Sequence, residues 1–256
     1  MLGYILLFTF LGSVVSLIGG ILLLVKEKWT LKISHFLMSF AAGVLLGTAF
    51  FDLLPEALEM AHSSQSSSGQ GGGANIFAWA LIGIVGFFLL ERFVYWFHHH
   101  HEHEDKEAKP TVALIILGDS VHNFIDGVVI AATFMVSMPL GIVTALAVAA
   151  HEIPQEIGDF AILLHRGMRR NKVIWVNILS ALTAMAGAVL TFFVGDSVKN
   201  LLPVVISLTA GFFIYIAASD LIPEIHHEKR GFAFLESLLL VCGVILTWFS
   251  VSLLGV

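Results

Sequence analysis

Charged side chains are scarce in this chain of 256 residues. Asp, Glu, Lys and Arg make up 12% of the sequence, whereas a soluble domain carries about 25%. Hydrophobic residues make up 57%, which is too many for a water-soluble fold. The composition therefore predicts an integral membrane protein, and a single transmembrane domain over residues 1–256 is the simplest organisation.

Cysteine is almost absent as well. Cys242 is the only one, so no disulfide can form within the chain. The sequence also lacks motifs for nucleic-acid binding or nucleotide hydrolysis, so neither function is indicated. The first apolar run has no basic segment before it and no clear cleavage site, and we expect residues 1–25 to be a retained helix.

Long apolar runs are what the chain has in abundance. A helix needs about 20 mostly apolar residues to cross a bilayer. Eight runs meet this condition, at roughly 2–25, 33–60, 76–97, 111–137, 140–165, 173–194, 203–225 and 232–253. They predict an all-α protein with eight transmembrane helices. The two longer connections are a Ser/Gly-rich stretch at 63–75 and a His-rich loop at about 98–109.

Lysine and arginine are distributed unevenly between the connections. Twelve of the thirteen lie in odd-numbered connections, and only Lys199 lies in an even-numbered one. Because such residues accumulate on the cytosolic side, both termini are predicted to be non-cytosolic. The His-rich loop is then cytosolic. We expect the protein in the cell membrane, although an organelle membrane fits the same signals.

A short segment occurs twice. Asp52-Leu-Leu-Pro-Glu56 ends the second predicted helix, and Asp220-Leu-Ile-Pro-Glu224 ends the seventh. These helices cross in opposite directions, so the segments indicate inverted repeats in a 3+2+3 arrangement. Inverted repeats with interrupted, polar helices that meet near the bilayer midplane are typical of transporters.

Polar residues interrupt the fourth and fifth predicted helices, at 118–127 and 151–159. One charged residue at a helix centre costs about 2.5–3.5 kcal/mol in lipid, so these side chains need each other, water or a cation. His122 and Asp126 are four residues apart, as are His151 and Gln155, so each pair shares a helix face. Both histidines lie ~16 Å deep. Pro154 predicts a kink beside His151.

Imidazole and carboxylate groups without thiolate suit divalent ions, with Zn²⁺ first and Fe²⁺, Mn²⁺ or Cd²⁺ as further candidates. The two stretches resemble the ZIP (Zrt/Irt-like) family of divalent metal transporters. His122-Asn123-x-x-Asp126-Gly127 is similar to its His-Asn-x-x-(Glu/Asp)-Gly pattern. His151-Glu152-x-Pro-x-Glu156-x-Gly-Asp159 is similar to the branch with His-rich members.

The resemblance implies zinc or iron uptake toward the cytosol, by an elevator-like or rocking movement, and a homodimer. It places the metal on four residues, which are His122, Asp126, His151 and Gln155. It places a second position beside Asn123, Asp126 and Glu152. Many prokaryotic members have Glu where this chain has Gln155, and some carry a Glu in the sixth helix at about the position of Ala184. We therefore expect one well-formed site rather than two.

Further polar residues are candidates for the ion pathway. They are Asp52, Glu56, Glu156, Asp159, Asp220, Glu224, His226 and His227. Histidines of the loop could buffer incoming ions; they are His98, His99, His100, His101 and His103. Glu91 and Arg92 are most simply an ion pair that reaches toward the inner headgroups.

Two other functions compete with transport. His151-Glu152-Ile-Pro-Gln155 is one residue short of the His-Glu-x-x-His pattern of zinc hydrolases. A hydrolase would need an open metal position, and it would leave the inverted repeat unexplained, so we expect no enzyme activity. A metal sensor or scaffold without flux stays open on the sequence, and flux into liposomes would decide it.

Overall fold

In the computed structural model the chain is helical throughout the residues it describes, which are 1–68, 75–99, 112–195, 199–227 and 233–254. These ranges contain ten α-helices and no strand. The helices are α1 Leu2–Thr9, α2 Ile18–Thr48, α3 Leu54–Ser68, α4 Ile76–His99, α5 Val112–Val136, α6 Met138–His165, α7 Arg170–Gly195, α8 Leu202–Tyr215, α9 Ile222–His227 and α10 Ala233–Leu254. Six helical runs in these ranges are long and apolar enough to cross a membrane.

The first helical run is longer than the sequence predicted. Helical structure is nearly continuous from Leu2 to His62, a run of 61 residues. The predicted connection at 26–32 is reduced to Lys26, whose φ of −136° and ψ of 55° leave the helical region. Helix α3 then continues to Ser68, because no Gly or Pro follows Pro55 until Gly69.

Three stretches adopt the wider π-helical geometry, which the sequence did not predict. They are Phe10–Val14, Ala49–Leu53 and Ile216–Leu221. The last two contain the repeated aspartates and come just before Pro55 and Pro223. A proline has no N–H and crowds the carbonyl four residues earlier, so a wider turn is one way to keep the helix going. The repeat is therefore visible in the backbone as well.

Helix α6 contains a proline and is still one continuous helix. It runs from Met138 to His165 through Pro154, and the kink expected there stays a prediction. Its start is capped by Ser137, whose hydroxyl accepts a hydrogen bond from the Leu140 N–H at 3.2 Å. At its end, Gly167 takes the left-handed conformation with φ 82°. The N–H groups of Gly167 and Met168 return to the carbonyls of Leu164 and Leu163, which is the Schellman arrangement.

One group of helices packs around α5. Gly127 of α5 lies directly against the Ala184 backbone of α7, and Gly187 of α7 lies against Phe124 of α5. Any side chain at these glycines would collide with backbone atoms, so the two axes can approach only because a Cβ is absent. The first part of α2 packs on α6 in the same way, through Gly19.

A second group contains the remaining helices. The second part of α2 meets α10 where Gly43 and Gly243 face each other's helices. Helix α4 meets α8 where Gly83 and Gly211 do so. The two groups meet where α5 contacts α4 and α8, and where the His151 ring of α6 faces the Phe213 ring of α8. The candidate site lies at this boundary.

Candidate metal centre

Four ionisable side chains of α5 and α6 converge in the interior. His122 and Asp126 come from α5, and His151 and Glu152 come from α6. One ligand atom of each lies within 4.8 Å of the others. His151, Asp126 and Glu152 are fully buried, and His122 is only 11% exposed. The antiparallel helices thus bring the two predicted histidines to one level.

The spacing of the four ligand atoms fits a single ion. The two Nε2 atoms of His122 and His151 are 3.2 Å apart. The Asp126 Oδ2 atom is 3.8 Å from His122 Nε2 and 3.3 Å from His151 Nε2. The Glu152 Oε1 atom is 3.6 Å and 3.7 Å from the same two nitrogens. Tetrahedral ligands at zinc bond lengths of about 2.0–2.2 Å lie roughly 3.3–3.6 Å from one another.

The orientation of the His151 ring is fixed by its other nitrogen. His151 Nδ1 lies 3.2 Å from the carbonyl oxygen of Ala147, one turn earlier in α6. A carbonyl only accepts hydrogen bonds, so Nδ1 must carry the proton. The lone pair is then on Nε2, which faces the cluster. A backbone acceptor of this kind commonly orients a metal-binding histidine.

The carboxylates of Asp126 and Glu152 are unusual because they are buried without hydrogen bonds. All four of their oxygens are buried, and none has a hydrogen-bond partner. Burying an unpaired polar group costs several kcal/mol in an apolar medium, and more for a charge. Unpaired carboxylates beside two imidazoles form a donor set that a divalent cation would satisfy.

The predicted ligand Gln155 is placed differently from Glu152. Gln155 lines a cavity together with His122, while Glu152, predicted to border a second position, stands within the four-residue cluster. Whether either side chain binds metal stays a prediction. Glu and Gln side chains have the same length, so the placement follows from the rotation of α6 against α5, which turns position 152 toward the cluster and position 155 toward the cavity.

The amide of Asn123, also predicted to border a second position, is engaged by the protein. Its Nδ2 donates to the backbone oxygen of Asp119 at 3.2 Å and to Asp119 Oδ1 at 2.9 Å. Its Oδ1 accepts from the Ser13 hydroxyl at 2.6 Å. Facing two oxygens, the amide cannot be reversed. Oδ1, the one amide atom that could bind a metal, therefore already accepts a hydrogen bond from Ser13 of the first π-helical stretch, which engages one of its two lone pairs.

A cavity of 350 Å³ opens beside the cluster. His122 lies at one end of it. Its walls come from α4, α5, α6 and the α8–α9 region. Acidic residues line it, namely Glu91, Asp119, Asp159, Asp220 and Glu224. Three of these, Asp159, Asp220 and Glu224, were predicted as pathway residues, and the structure brings them to the same space.

Aromatic rings cover the histidines from the second helix group. The rings of Phe87 and Phe212 lie 5.8 Å and 5.6 Å from the His122 ring, measured between centroids. The Phe213 ring lies 6.2 Å from that of His151. This wall is apolar and gives the ion no ligand, so all four candidate ligands belong to the α5–α6 side.

The other predicted residues lie apart from the cluster. Asp52 is buried, and neither of its carboxylate oxygens has a hydrogen-bond partner. Glu56 is half-buried one turn later, and Glu156 is buried in α6 without a hydrogen-bond partner. The remaining histidines lie outside the described residues or have side chains outside them; these are His98, His99, His100, His101, His103, His226 and His227.

Sequence reasoning missed three residues around the site. Asp119 was passed over although it lies one turn before Asn123 on the same face. Ser13 carried no signal, since a lone serine in an apolar run is ordinary. Glu91 was expected to reach toward the headgroups, but it lines the cavity and accepts a hydrogen bond from the Tyr215 hydroxyl at 2.7 Å.

These features define a class. The chain is a multi-pass helical membrane protein with a buried His/Asp/Glu cluster beside an acid-lined cavity. It belongs to the ZIP zinc transporter family, whose model matches residues 2–113 and 97–250. The resemblance read from the two helix motifs is therefore confirmed, as is the expectation of apolar membrane-spanning helices.

Individual relatives carry zinc transporter names. The chain is 33% identical to zinc transporter ZIP13 of Pongo abelii over 223 residues, which cover 84% of this chain and 66% of the relative. It is 29% identical to zinc transporter ZIP4 of Mus musculus over 304 residues, covering 92% and 45%. It is 41% identical to zinc transporter ZIP10 of Mus musculus over 124 residues, which cover 46% of this chain and 15% of the relative. The chain thus spans two thirds or less of the length of these relatives.

Proposed function

We propose that this protein carries a divalent transition-metal ion, most simply zinc, across a membrane toward the cytosol by alternating access. The observation that carries the proposal is the four-residue cluster of His122, Asp126, His151 and Glu152. Its imidazole nitrogens lie 3.2 Å from each other and 3.3–3.8 Å from the carboxylate oxygens, close to the separations in a zinc shell, and none of these oxygens has a hydrogen-bond partner. Membership of the ZIP family agrees with this function.

The donor set favours zinc among the candidate ions. Two imidazole nitrogens and two carboxylate oxygens within 4.8 Å of one another are a donor set that zinc commonly takes. Fe²⁺, Mn²⁺ and Cd²⁺ can use the same donors, and Mn²⁺ prefers more oxygen ligands. The engaged Asn123 amide supports one ion per site in this conformation.

We infer eight membrane crossings. The run Leu2–His62 would extend about 90 Å as a helix, three times a hydrocarbon core of about 30 Å. Its break at Lys26 divides it into two crossings. Helix α6 has 28 residues and packs inside the bundle. These three crossings and the other five apolar runs make eight. We propose that both termini lie on the non-cytosolic side and that the eight helices form one transmembrane domain with inverted repeats.

The cavity gives the direction of access. Its acidic wall includes Glu91 near the end of α4, Asp159 in the second half of α6 and Glu224 in α9. By the distribution of lysine and arginine these helix ends are cytosolic. We therefore propose that this conformation is inward-facing and that an ion on His122 leaves through an acid-lined exit.

Transport into proteoliposomes tests the proposal directly. The full chain is reconstituted with a zinc-sensitive dye inside, and initial rates are measured against external Zn²⁺. The wild type should saturate. His122→Ala and His151→Ala should each lower the rate at least about tenfold, since a metal ligand is lost. His62→Ala, a histidine of α3 outside the cluster, serves as the matched control.

Equal rates for all three variants would refute the site. Saturable zinc binding without any flux would instead favour the sensor or scaffold.

The hydrolase alternative is not favoured. In a His-Glu-x-x-His site the glutamate acts as general base rather than ligand, whereas Glu152 stands 3.6 Å and 3.7 Å from the two imidazole nitrogens. Glu152→Gln separates the two functions. A transporter should show altered uptake and affinity, and a hydrolase should keep its metal and lose turnover.

We further propose the cell membrane as the location and a homodimer as the assembly, as the family resemblance implies. Cross-linking of the reconstituted protein, with monomer as the contrary result, tests the second of these.

A further inference from the structure

A second cavity lies beyond the metal centre along α6, at the helix end that the distribution of lysine and arginine predicts to be cytosolic. Its volume is 920 Å³, and it lies between the part of α2 around the break at Lys26 and the turn from α6 to α7. Leucines line its apolar part, including Leu23, Leu24 and Leu31. Arg166 and Arg170 line its polar part, opposite Glu27. No function considered so far uses this space.

The turn between α6 and α7 sets the two arginines at the cavity. Gly167 closes the end of α6, so Arg166 ends one helix and Arg170 begins the next. The Arg170 guanidinium reaches across the cavity, where Nη1 donates to the Leu24 carbonyl oxygen at 3.4 Å. Arg170 also stands at the amino end of α7, where the helix dipole favours negative charge.

The surroundings of the cavity are basic. Its two bordering segments, 26–28 and 166–172, contain six Lys or Arg residues and one acid, Glu27. Apolar side chains at the edge of the cavity are accessible, since Leu31 is 39% and Ile162 is 45% exposed. A ligand that matches both parts must be anionic at one end and apolar at the other.

We propose that this cavity binds an anionic phospholipid of the cytosolic leaflet. Its phosphate lies between Arg166 and Arg170, and an acyl chain lies along the leucines. Basic pockets between transmembrane helices on the cytosolic side suit such headgroups, and a guanidinium matches a phosphate through two parallel N–H donors. The lipid would join the first crossing to the end of α6. This inference does not depend on metal transport.

Native mass spectrometry of the full-length protein in detergent tests the site. The probes are phosphatidylglycerol and phosphatidylcholine with identical acyl chains. The wild type should retain phosphatidylglycerol about tenfold more strongly, given the gain expected per cationic side chain near a membrane surface. Arg166→Gln combined with Arg170→Gln should abolish this preference. Arg169→Gln combined with Lys172→Gln removes the same charge outside the cavity and should keep it.

Loss of the preference in both double variants would show a general surface charge and overturn the proposal. Retention in both, or displacement of the lipid by inorganic phosphate alone, would overturn it as well. Should the arginine variant fail to fold, Leu31→Trp fills the apolar part and leaves both arginines in place. It should lower retention of phosphatidylglycerol to the level of phosphatidylcholine, and unchanged retention would refute the site.

Discussion

The two copies of the Asp-Leu-x-Pro-Glu segment have the same local structure and opposite surroundings. Each aspartate lies in a π-helical stretch, and a proline follows three residues later. Asp52 is 1% exposed, and its carboxylate has no hydrogen-bond partner. Asp220 is exposed and lines the 350 Å³ cavity. This difference in exposure agrees with the proposed transport function, in which the ion pathway is open on one side only.

The stability gained on zinc binding should depend on the metal centre and not on either copy of the Asp-Leu-x-Pro-Glu segment. At a free zinc concentration of 100 times Kd, binding to the folded state adds about 2.7 kcal/mol of stability. The gain should persist in Asp52→Leu and Asp220→Leu and disappear in His151→Ala. Thermal unfolding in detergent, with and without zinc, measures it. Loss of the gain in either leucine variant would mean that a repeated aspartate holds the ion.

Replacing each aspartate by leucine should affect stability differently. Asp52→Leu removes a buried carboxylate that no group satisfies, and it should stabilise the protein by about 1–3 kcal/mol. Asp220→Leu changes an exposed side chain and should stay within about 0.5 kcal/mol. Melting temperatures of the two variants give the comparison. If Asp52→Leu destabilises the protein, its carboxylate has a partner such as a bound cation.

Chemical accessibility should follow the same asymmetry. With Cys242→Ser as the background, a cysteine at 220 should react with a soluble thiosulfonate at least about tenfold faster than one at 52. An opening that costs only about 1.4 kcal/mol already slows the buried position by that factor. Equal rates would mean that both halves are open to water, contrary to the exposure in this structure.

The smallest change in stability is expected for Tyr215, which lies beside the exposed copy of the segment at Asp220. Tyr215 comes directly before the second π-helical stretch, and its hydroxyl donates to Glu91 Oε2 at 2.7 Å. Tyr215→Phe should lower stability by about 1 kcal/mol. Tyr4→Phe, at a ring that is 51% exposed, should change it by less than about 0.5 kcal/mol. Equal melting temperatures for the two variants would show that the bond to Glu91 contributes nothing.

Prolines illustrate how far local chemistry predicts the backbone. Pro55, Pro154 and Pro223 all remove a backbone donor from a helix, and the sequence analysis predicted a distortion only at Pro154. Two are preceded by π-helical turns, while α6 passes through the third without interruption. The missing N–H is a property of the residue, but the way the helix accommodates it depends on the neighbouring helices.

The candidate ligands show the same division. His122, Asp126 and His151 could be predicted, because their spacing on a helix and their cost in lipid are local properties. The position of Glu152 inside the cluster, with Gln155 in the cavity, could not. It depends on how α6 is rotated against α5. The occupied amide of Asn123 could not be predicted either, since its partner Ser13 is 110 positions away in the chain.

Composition and motif spacing were therefore sufficient for the membrane class, the family and the two histidines, because each follows from residues within one or two helical turns. Helix packing decided the rest. It determined which repeat is buried and which is exposed, which acids line the first cavity, and which arginines and leucines line the second. That packing depends on contacts between distant segments, such as Gly127 against Ala184. No local pattern carries this information, because the same repeat occupies both environments in one molecule.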